Sequence, residues 1–193
     1  MPSPTVILAS TSHYRAGLLR RLLERFEQAA PGTDEAALPG EAPAVRAARL
    51  AEAKARAVAI LHPGSVVIGS DQVADLDGSV LDKPGTVHEA HRQLAASSGR
   101  SVVFHTAVCV IAGNGDALTH VDETRVSFRT LSAADIERYV ERERPLDCAG
   151  SFKCEGLGIT LFERIVNEDP TALVGLPLIA TSRLLRAAGI VLP

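Results

Sequence analysis

Four sets of side chains in this sequence have the chemistry to hold or cut an anionic substrate. Ser10-Thr11-Ser12 with Arg15 stands where a short apolar run gives way to a helical pattern, so hydroxyls, a guanidinium and free backbone N–H groups converge there. Such a junction suits a phosphate, and it equally suits an ordinary capped helix with an arginine at its surface. Asp71 follows the apolar run Val66-Val67-Ile68 through Gly69-Ser70. A carboxylate at the C-terminal end of a buried strand needs a partner, and in open α/β sheets that end is where ligands bind; a cap for the following turn is the other reading. Lys54 and Lys83 are cations that could meet a phosphate, although each alone reads as a solvated charge. Glu35 and Glu155 are loop carboxylates that could join Asp71 around a divalent cation, a convergence that spacing alone does not establish.

The elements that must position these groups are legible as a mixed α/β pattern. Thr5 to Ala9 reads as a strand, and Leu18, Leu19, Leu22, Leu23 and Phe26 then repeat at helical spacing behind Ser12 as N-cap. Residues 28–43 read as a loop, and a helix carrying Lys54 runs from Pro43 to Leu61. Val66-Val67-Ile68 reads as a buried strand that presents Asp71 at its end, and Asp77-Gly78 as the turn of a following hairpin. Thr86 to Glu89 carries a capping-box signature for a helix ending near Ser98-Gly99. Strands at 102–111 and 118–128 precede a helix capped at Ser132 and closed by Pro145. The glycine-spaced segment 149–158 leads to a strand at 159–165, and a last helix follows Gly175-Leu176-Pro177. With no repeat and no linker, residues 1–193 are expected to form a single domain: a mixed sheet with flanking helices, in two lobes with a cleft between them.

Composition narrows the function classes. A net charge of -3 argues against a protein that coats duplex nucleic acid, yet leaves room for a small anion held by a few local cations. No apolar run approaches membrane-spanning length, and the N-terminal residues lack the pattern of a signal peptide. Cys109, Cys148 and Cys154 form no CxxC pair, which argues against structural zinc or a disulfide framework and fits the cytoplasm. The P-loop, dinucleotide, nucleophile-elbow and H-E-x-x-H motifs are all missing from the sequence.

The candidate groups fall within a longer series: Leu8-Ala9-Ser10-Thr11-Ser12 with Arg15, Leu50-Ala51-Glu52-Ala53-Lys54-Ala55, Ile68-Gly69-Ser70-Asp71-Gln72-Val73, Lys83-Pro84, Ser98-Gly99-Arg100, Ala149-Gly150-Ser151-Phe152 and Val174-Gly175-Leu176-Pro177-Leu178. In this order the series resembles the Maf family of nucleotide pyrophosphatases over nearly the whole chain. The resemblance implies a two-lobed α/β fold of the Maf and HAM1-like (inosine triphosphate pyrophosphatase-like) type. It also implies Mg²⁺- or Mn²⁺-dependent cleavage of the α–β phosphoanhydride of a nucleoside triphosphate, and a homodimer. By position Asp71 matches the catalytic acid-base residue, and Ser10, Arg15, Glu35, Lys54 and Lys83 match groups lining the triphosphate site. Asp71 and Glu35 are then the carboxylates available to the metal.

Three positions depart from family members that resemble dTTP and UTP pyrophosphatases. Where those carry Ser-Pro-Arg-Arg, Thr after the carboxylate and Gln in the glycine-rich segment, this chain has Ser12-His13-Tyr14-Arg15, Gln72 and Glu155. The set resembles a branch of the family associated with 7-methyl-GTP. N7-methylation makes guanine cationic, which an aromatic face such as Tyr14 favours, and Glu155 can accept from the N1–H and 2-amino groups that a pyrimidine lacks. Tyr14, Gln72 and Glu155 are therefore expected to govern base choice. The alternatives are a dTTP/UTP-type enzyme and a nucleotide-binding regulator of septum formation, the effect for which the family is named.

Overall fold

A computed structural model describes residues 4–193; Met1–Ser3, the start of the segment read as lacking a signal peptide, lie outside it. Among the described residues seven strands form one sheet in the order β2-β1-β3-β5-β6-β7, with β4 paired to β3. These are β1 (Val6–Leu8), β2 (Glu27–Gln28), β3 (Val66–Leu76), β4 (Ser79–Val80), β5 (Ser101–Ile111), β6 (Ala117–Phe128) and β7 (Phe162–Val166). Strand β1 runs parallel to β2 and β3, whereas β3, β5, β6 and β7 pair antiparallel. The helices are α1 (His13–Leu19), α2 (Pro43–Ala59), α3 (Val87–Ser97), α4 (Ala133–Glu143) and α5 (Leu178–Ala187). Among the described residues no helix is long and apolar enough to cross a membrane.

Alternation along the strands divides the core into three. Ile7, Val67, Val73 and Cys109 meet Ala47, Ala51, Ala55 and Val58 of α2 on one face. Leu8, Ile68, Val108 and Val110 meet α1 and α5 on the other. Farther along that second face, Ala74, Leu76, Phe104 and Phe128 pack with α3 and α4. Two apolar lobes thus share one face of the sheet, and the polar side chains of Ser70 and Gln72 fall between them.

The sheet corrects the expected place of Asp71. It is the sixth of eleven residues in β3, which continues past it because Val73, Ala74 and Leu76 remain apolar and the pairing with β5 runs unbroken to Asp75. What ends near Asp71 is the neighbour. Strand β1 pairs with β3 only at Val66–Ile68, and β4 only at Asp75 and Leu76, so among the described residues positions 69–74 have no strand beside them on that edge. This notch in the sheet takes the place of the strand terminus read from the sequence.

Other boundaries move as well. Helix α1 stops at Leu19, although Leu22, Leu23 and Phe26 still pack on the same core after the helix has ended. Gln28, read as loop, belongs to β2. Helix α2 ends at Ala59, two residues short of Leu61. Residues 157–161 form a 3-10 turn, and β7 starts only at Phe162. At α3 the capping box is half made: Thr86 Oγ1 accepts from Glu89 N–H at 3.2 Å, while the Glu89 carboxylate turns to Arg92. The β3–β4 hairpin is as expected, with both turn residues, Asp77 (φ 50) and Gly78 (φ 86), left-handed.

Candidate active site

The notch is lined from the α2 side by Lys54. Gly69 lets the helix come close enough: a Cβ there would stand 2.2 Å from the Ala51 carbonyl oxygen and 2.9 Å from Ala55 Cβ. From this near position Lys54, only 5% exposed, puts its ammonium 2.7 Å from Asp71 Oδ1 and 2.7 Å from Glu35 Oε1. Lys54 is therefore buried, not a solvated charge. It gathers two carboxylates from segments 36 positions apart. Among the described residues Asp71 Oδ2 accepts no protein hydrogen bond and is not sealed, so it keeps access to the cavity beside it. Burial pushes the Glu35 carboxyl up, but the hydrogen bond from Lys54 and the charges of Lys54, Lys83 and Arg15 outweigh it, leaving Glu35 below its ordinary value.

Arg15 reaches the notch from α1. Ser12 caps that helix, its Oγ accepting from Arg15 N–H at 3.4 Å, and Ser10 Oγ accepts from Ser12 N–H at 3.1 Å. The Arg15 Nε donates to the Gly175 carbonyl at 2.9 Å, and Ser70 Oγ donates to the same oxygen. Gly175 holds φ 122, a region hostile to a side chain, and a Cβ there would touch the guanidinium at 3.5 Å. Burial lowers the Arg15 pKa, opposed by Asp71 and Glu35. Lys83 is exposed and, among the described residues, forms no side-chain hydrogen bond or ion pair.

Three adjoining cavities meet at Arg15 and Lys83, which line all of them. A strand cavity of about 230 Å³ contains Glu35, Lys54, Asp71 and Gln72. A loop cavity of about 240 Å³ is bounded by Ser10, Thr11, Ser12, Tyr14, Glu35 and Lys54. An aromatic cavity of about 100 Å³ has Tyr14, Gln72, Phe104, Phe152 and Glu155 in its wall. All nine residues singled out from the sequence thus line one connected cleft. They divide within it, because Asp71 and Glu35 do not line the aromatic cavity and Glu155 does not line the other two. Glu155 is accordingly not in the carboxylate group around Lys54.

Gln72 is held by its amide nitrogen. Its Nε2 donates to Thr106 Oγ1 at 3.0 Å and to the carbonyls of Ala172 and Leu173, each at 3.1 Å. Two carbonyls can only accept, which fixes the amide orientation and leaves Oε1 as the free end. Gln72 thereby pins the turn leading to Gly175 and Arg15. Tyr14 stacks at a tilt on His13, with centroids 3.9 Å apart. Its phenol is raised by burial and by Cys148, against the opposing effect of Lys153. The three thiols are free, and burial pushes each up to about 12. Cys148 and Cys154 are thus neutral walls of the aromatic cavity.

A polar cleft at a notch in a mixed sheet, with lysines and arginine facing paired carboxylates, defines a class of α/β proteins built to handle a polyanion. The chain belongs to the Maf family: the model described as "Maf-like protein" matches residues 5–188. It is 60% identical over 190 residues to the "7-methyl-GTP pyrophosphatase" of Xanthomonas campestris pv. campestris (strain 8004), covering 98% of this chain and 99% of that one. It is 57% identical over 189 residues to the protein of that name from Aromatoleum aromaticum (strain DSM 19018 / LMG 30748 / EbN1), covering 97% of each. Among solved structures it is similar to the Ham1 protein of Staphylococcus aureus, with a TM-score of 0.52 and 12% identity over 94% of this chain and 99% of that chain. That last likeness concerns the fold alone.

Proposed function

We propose that the chain, acting as one catalytic unit over residues 1–193, hydrolyses the α–β phosphoanhydride of a nucleoside triphosphate to the monophosphate and pyrophosphate, with 7-methyl-GTP preferred. The observation that carries this reading is the ammonium of Lys54 joining Asp71 and Glu35 in a cavity that Arg15 and Lys83 connect to the Tyr14–Glu155 cavity. Asp71 Oδ2 accepts a proton from water as the water oxygen bonds to phosphorus and the bridging P–O bond breaks. Lys54, Arg15 and Lys83 balance charge on the phosphates, Arg15 through the part of its fork not spent on Gly175, and Ser10 lines the phosphate loop. In the adjoining cavity Tyr14 faces the cationic base, Glu155 accepts from its N–H groups and Gln72 Oε1 completes the wall.

The donor set fits a divalent cation. Among the described residues no three His, Cys, Asp or Glu side chains form a metal cage. Mg²⁺ or Mn²⁺ shared with substrate phosphates needs just one or two carboxylates, and Asp71 and Glu35 supply two. When bound, the ion neutralises phosphate oxygens and the leaving pyrophosphate. The reading extends to a cytoplasmic homodimer acting on free nucleotides and removing modified ones.

Pyrophosphate release from 7-methyl-GTP, GTP, UTP and dTTP, with and without Mg²⁺, tests this. The expected result is Mg²⁺-dependent release with the highest kcat/KM on 7-methyl-GTP, and a shift toward UTP and dTTP in the Tyr14→Arg/Glu155→Gln double variant. No release from any nucleotide would remove the enzymatic reading. Relative kcat/KM values unchanged in the double variant would remove the assignment of base choice.

A further inference from the structure

Arg46 shares the strand cavity with the proposed reaction centre. It stands on α2 eight residues before Lys54, so the helical repeat sets Arg46, Leu50 and Lys54 along one face. Its side chain is just 14% exposed. One end of the guanidinium is engaged: Nη2 donates to the Glu35 carbonyl at 3.2 Å and lies 3.4 Å from Asp82 Oδ1. Among the described residues the Nε–H is sealed and has no partner, and Nη1 has none either but is not sealed. Arg49, three residues on, shows what a purely structural arginine looks like on this helix. Its Nε and Nη2 both bind the Glu41 carboxylate, at 2.5 and 2.7 Å, and Nη2 also reaches the Ala36 carbonyl. A buried cationic N–H without an acceptor carries its desolvation cost in full, and such a group calls for a ligand or a water.

The layout of the cleft gives that ligand a direction. Tyr14 and Glu155 line the aromatic cavity, Arg15 and Lys83 line all three cavities, and Asp71 lines the strand cavity alone. Arg46 also lines the strand cavity alone, so Asp71 and Arg46 share the end of the cleft away from the base. Resting on the function proposed above, we infer that Arg46 is a further substrate-binding residue, whose Nη1–Nη2 edge takes the phosphates that leave as pyrophosphate. Asp82, 71% exposed on its side chain, holds the fork until the polyanion arrives. A phosphate can engage two N–H groups at once, which the present single contact to Asp82 does not. Neighbouring links follow: Arg46 ties the loop carrying Glu35 to the segment carrying Lys83, so a phosphate bound there draws both toward the cleft.

The test compares wild-type protein with Arg46→Gln and Arg46→Lys, titrated with inorganic pyrophosphate and, separately, with 7-methyl-GMP, alongside hydrolysis of 7-methyl-GTP. Arg46→Gln is expected to weaken pyrophosphate binding by about tenfold or more, the scale of one charge-assisted contact. Its affinity for 7-methyl-GMP should stay within about twofold, since that product lacks the leaving phosphates. KM for 7-methyl-GTP should rise in step with the pyrophosphate effect. Arg46→Lys, which keeps the charge and loses the fork, is expected to fall between wild type and Arg46→Gln, and it carries the test if Arg46→Gln fails to fold. Unchanged pyrophosphate affinity in the variants that fold would overturn the inference. So would equal weakening for pyrophosphate and 7-methyl-GMP, the signature of a loop clamp. Wild-type protein that releases no pyrophosphate from any nucleotide defeats the proposed function instead, while the pyrophosphate titrations still judge Arg46.

Discussion

Asp71 and Asp122 are both buried carboxylates on central antiparallel strands, 7% and 5% exposed, and the fold treats them in opposite ways. Asp71 receives the ammonium of Lys54 at 2.7 Å, has Arg15 nearby and keeps one oxygen toward a cavity. Asp122 lies across β5, opposite Thr106, with Oδ1 sealed and unpartnered among the described residues. Burial raises its pKa first, and the carboxylates of Asp169 and Glu168 add to this, against weaker opposing effects from His120 and the Thr124 hydroxyl. Burial alone therefore does not make a reactive carboxylate. Asp71 has counter-charges because α1 and α2 bring Arg15 and Lys54 to one notch, whereas Asp122 has the carboxylates of Asp169 and Glu168 beside it.

Breaking the Asp71 side of this comparison should give the largest effect. Asp71→Asn keeps the shape and removes the proton acceptor, so kcat for 7-methyl-GTP should fall on the order of a thousandfold, with KM changed far less. Wild-type kcat in that variant would mean that Asp71 does not handle the proton. Lys54→Met tests the pairing itself. It strands a buried carboxylate and should cost roughly 3 kcal/mol of stability, read from the denaturant midpoint. Combining Lys54→Met with Asp71→Asn should return much of that stability and none of the activity, because the buried carboxylate is then neutral and the half-exposed Glu35 still has Arg15 nearby. If the double variant is as unstable as Lys54→Met, the loss comes from packing on α2 and not from the stranded charge.

The groups around this pair were visible in the sequence as types, but their convergence was not. Lys54 among alanines looks like a surface lysine, since its partners lie 17 and 19 positions away and the glycine that lets α2 approach belongs to another element. The notch was legible only as a strand end: apolar residues continue past Asp71, and what stops is β1, a fact about the neighbour. Helix α1 was overextended because Leu22, Leu23 and Phe26 keep a helical spacing while packing as a turn; periodicity reports which side faces the core, not which carbonyls are bonded. Strands β5 and β6, the hairpin at Asp77-Gly78 and the capped start of α4 were legible because each is encoded locally. Arg46 gave no signal at all, for an arginine on an amphipathic helix is ordinary until its buried Nε is seen.

The smallest expected effect sharpens the Asp122 side. A carboxyl whose folded pKa lies above its unfolded value binds its proton more tightly in the native state. The stability it contributes is present below the unfolded value, about 3.9 for Asp, and is lost as pH rises through the raised folded value. Asp122→Asn cannot titrate, so it escapes that loss. Thermal melts from pH 4 to pH 8 should show the two proteins nearly equal at the acid end. The variant should then pull ahead by on the order of 1 kcal/mol as wild-type Asp122 ionises with its Oδ1 unsatisfied. Activity on 7-methyl-GTP should hold, since Asp122 lines none of the three cavities of the cleft. Parallel stability curves across that window would mean that Asp122 finds a counter-charge in solution. The contrast would then lie in what surrounds Asp71, not in what Asp122 lacks.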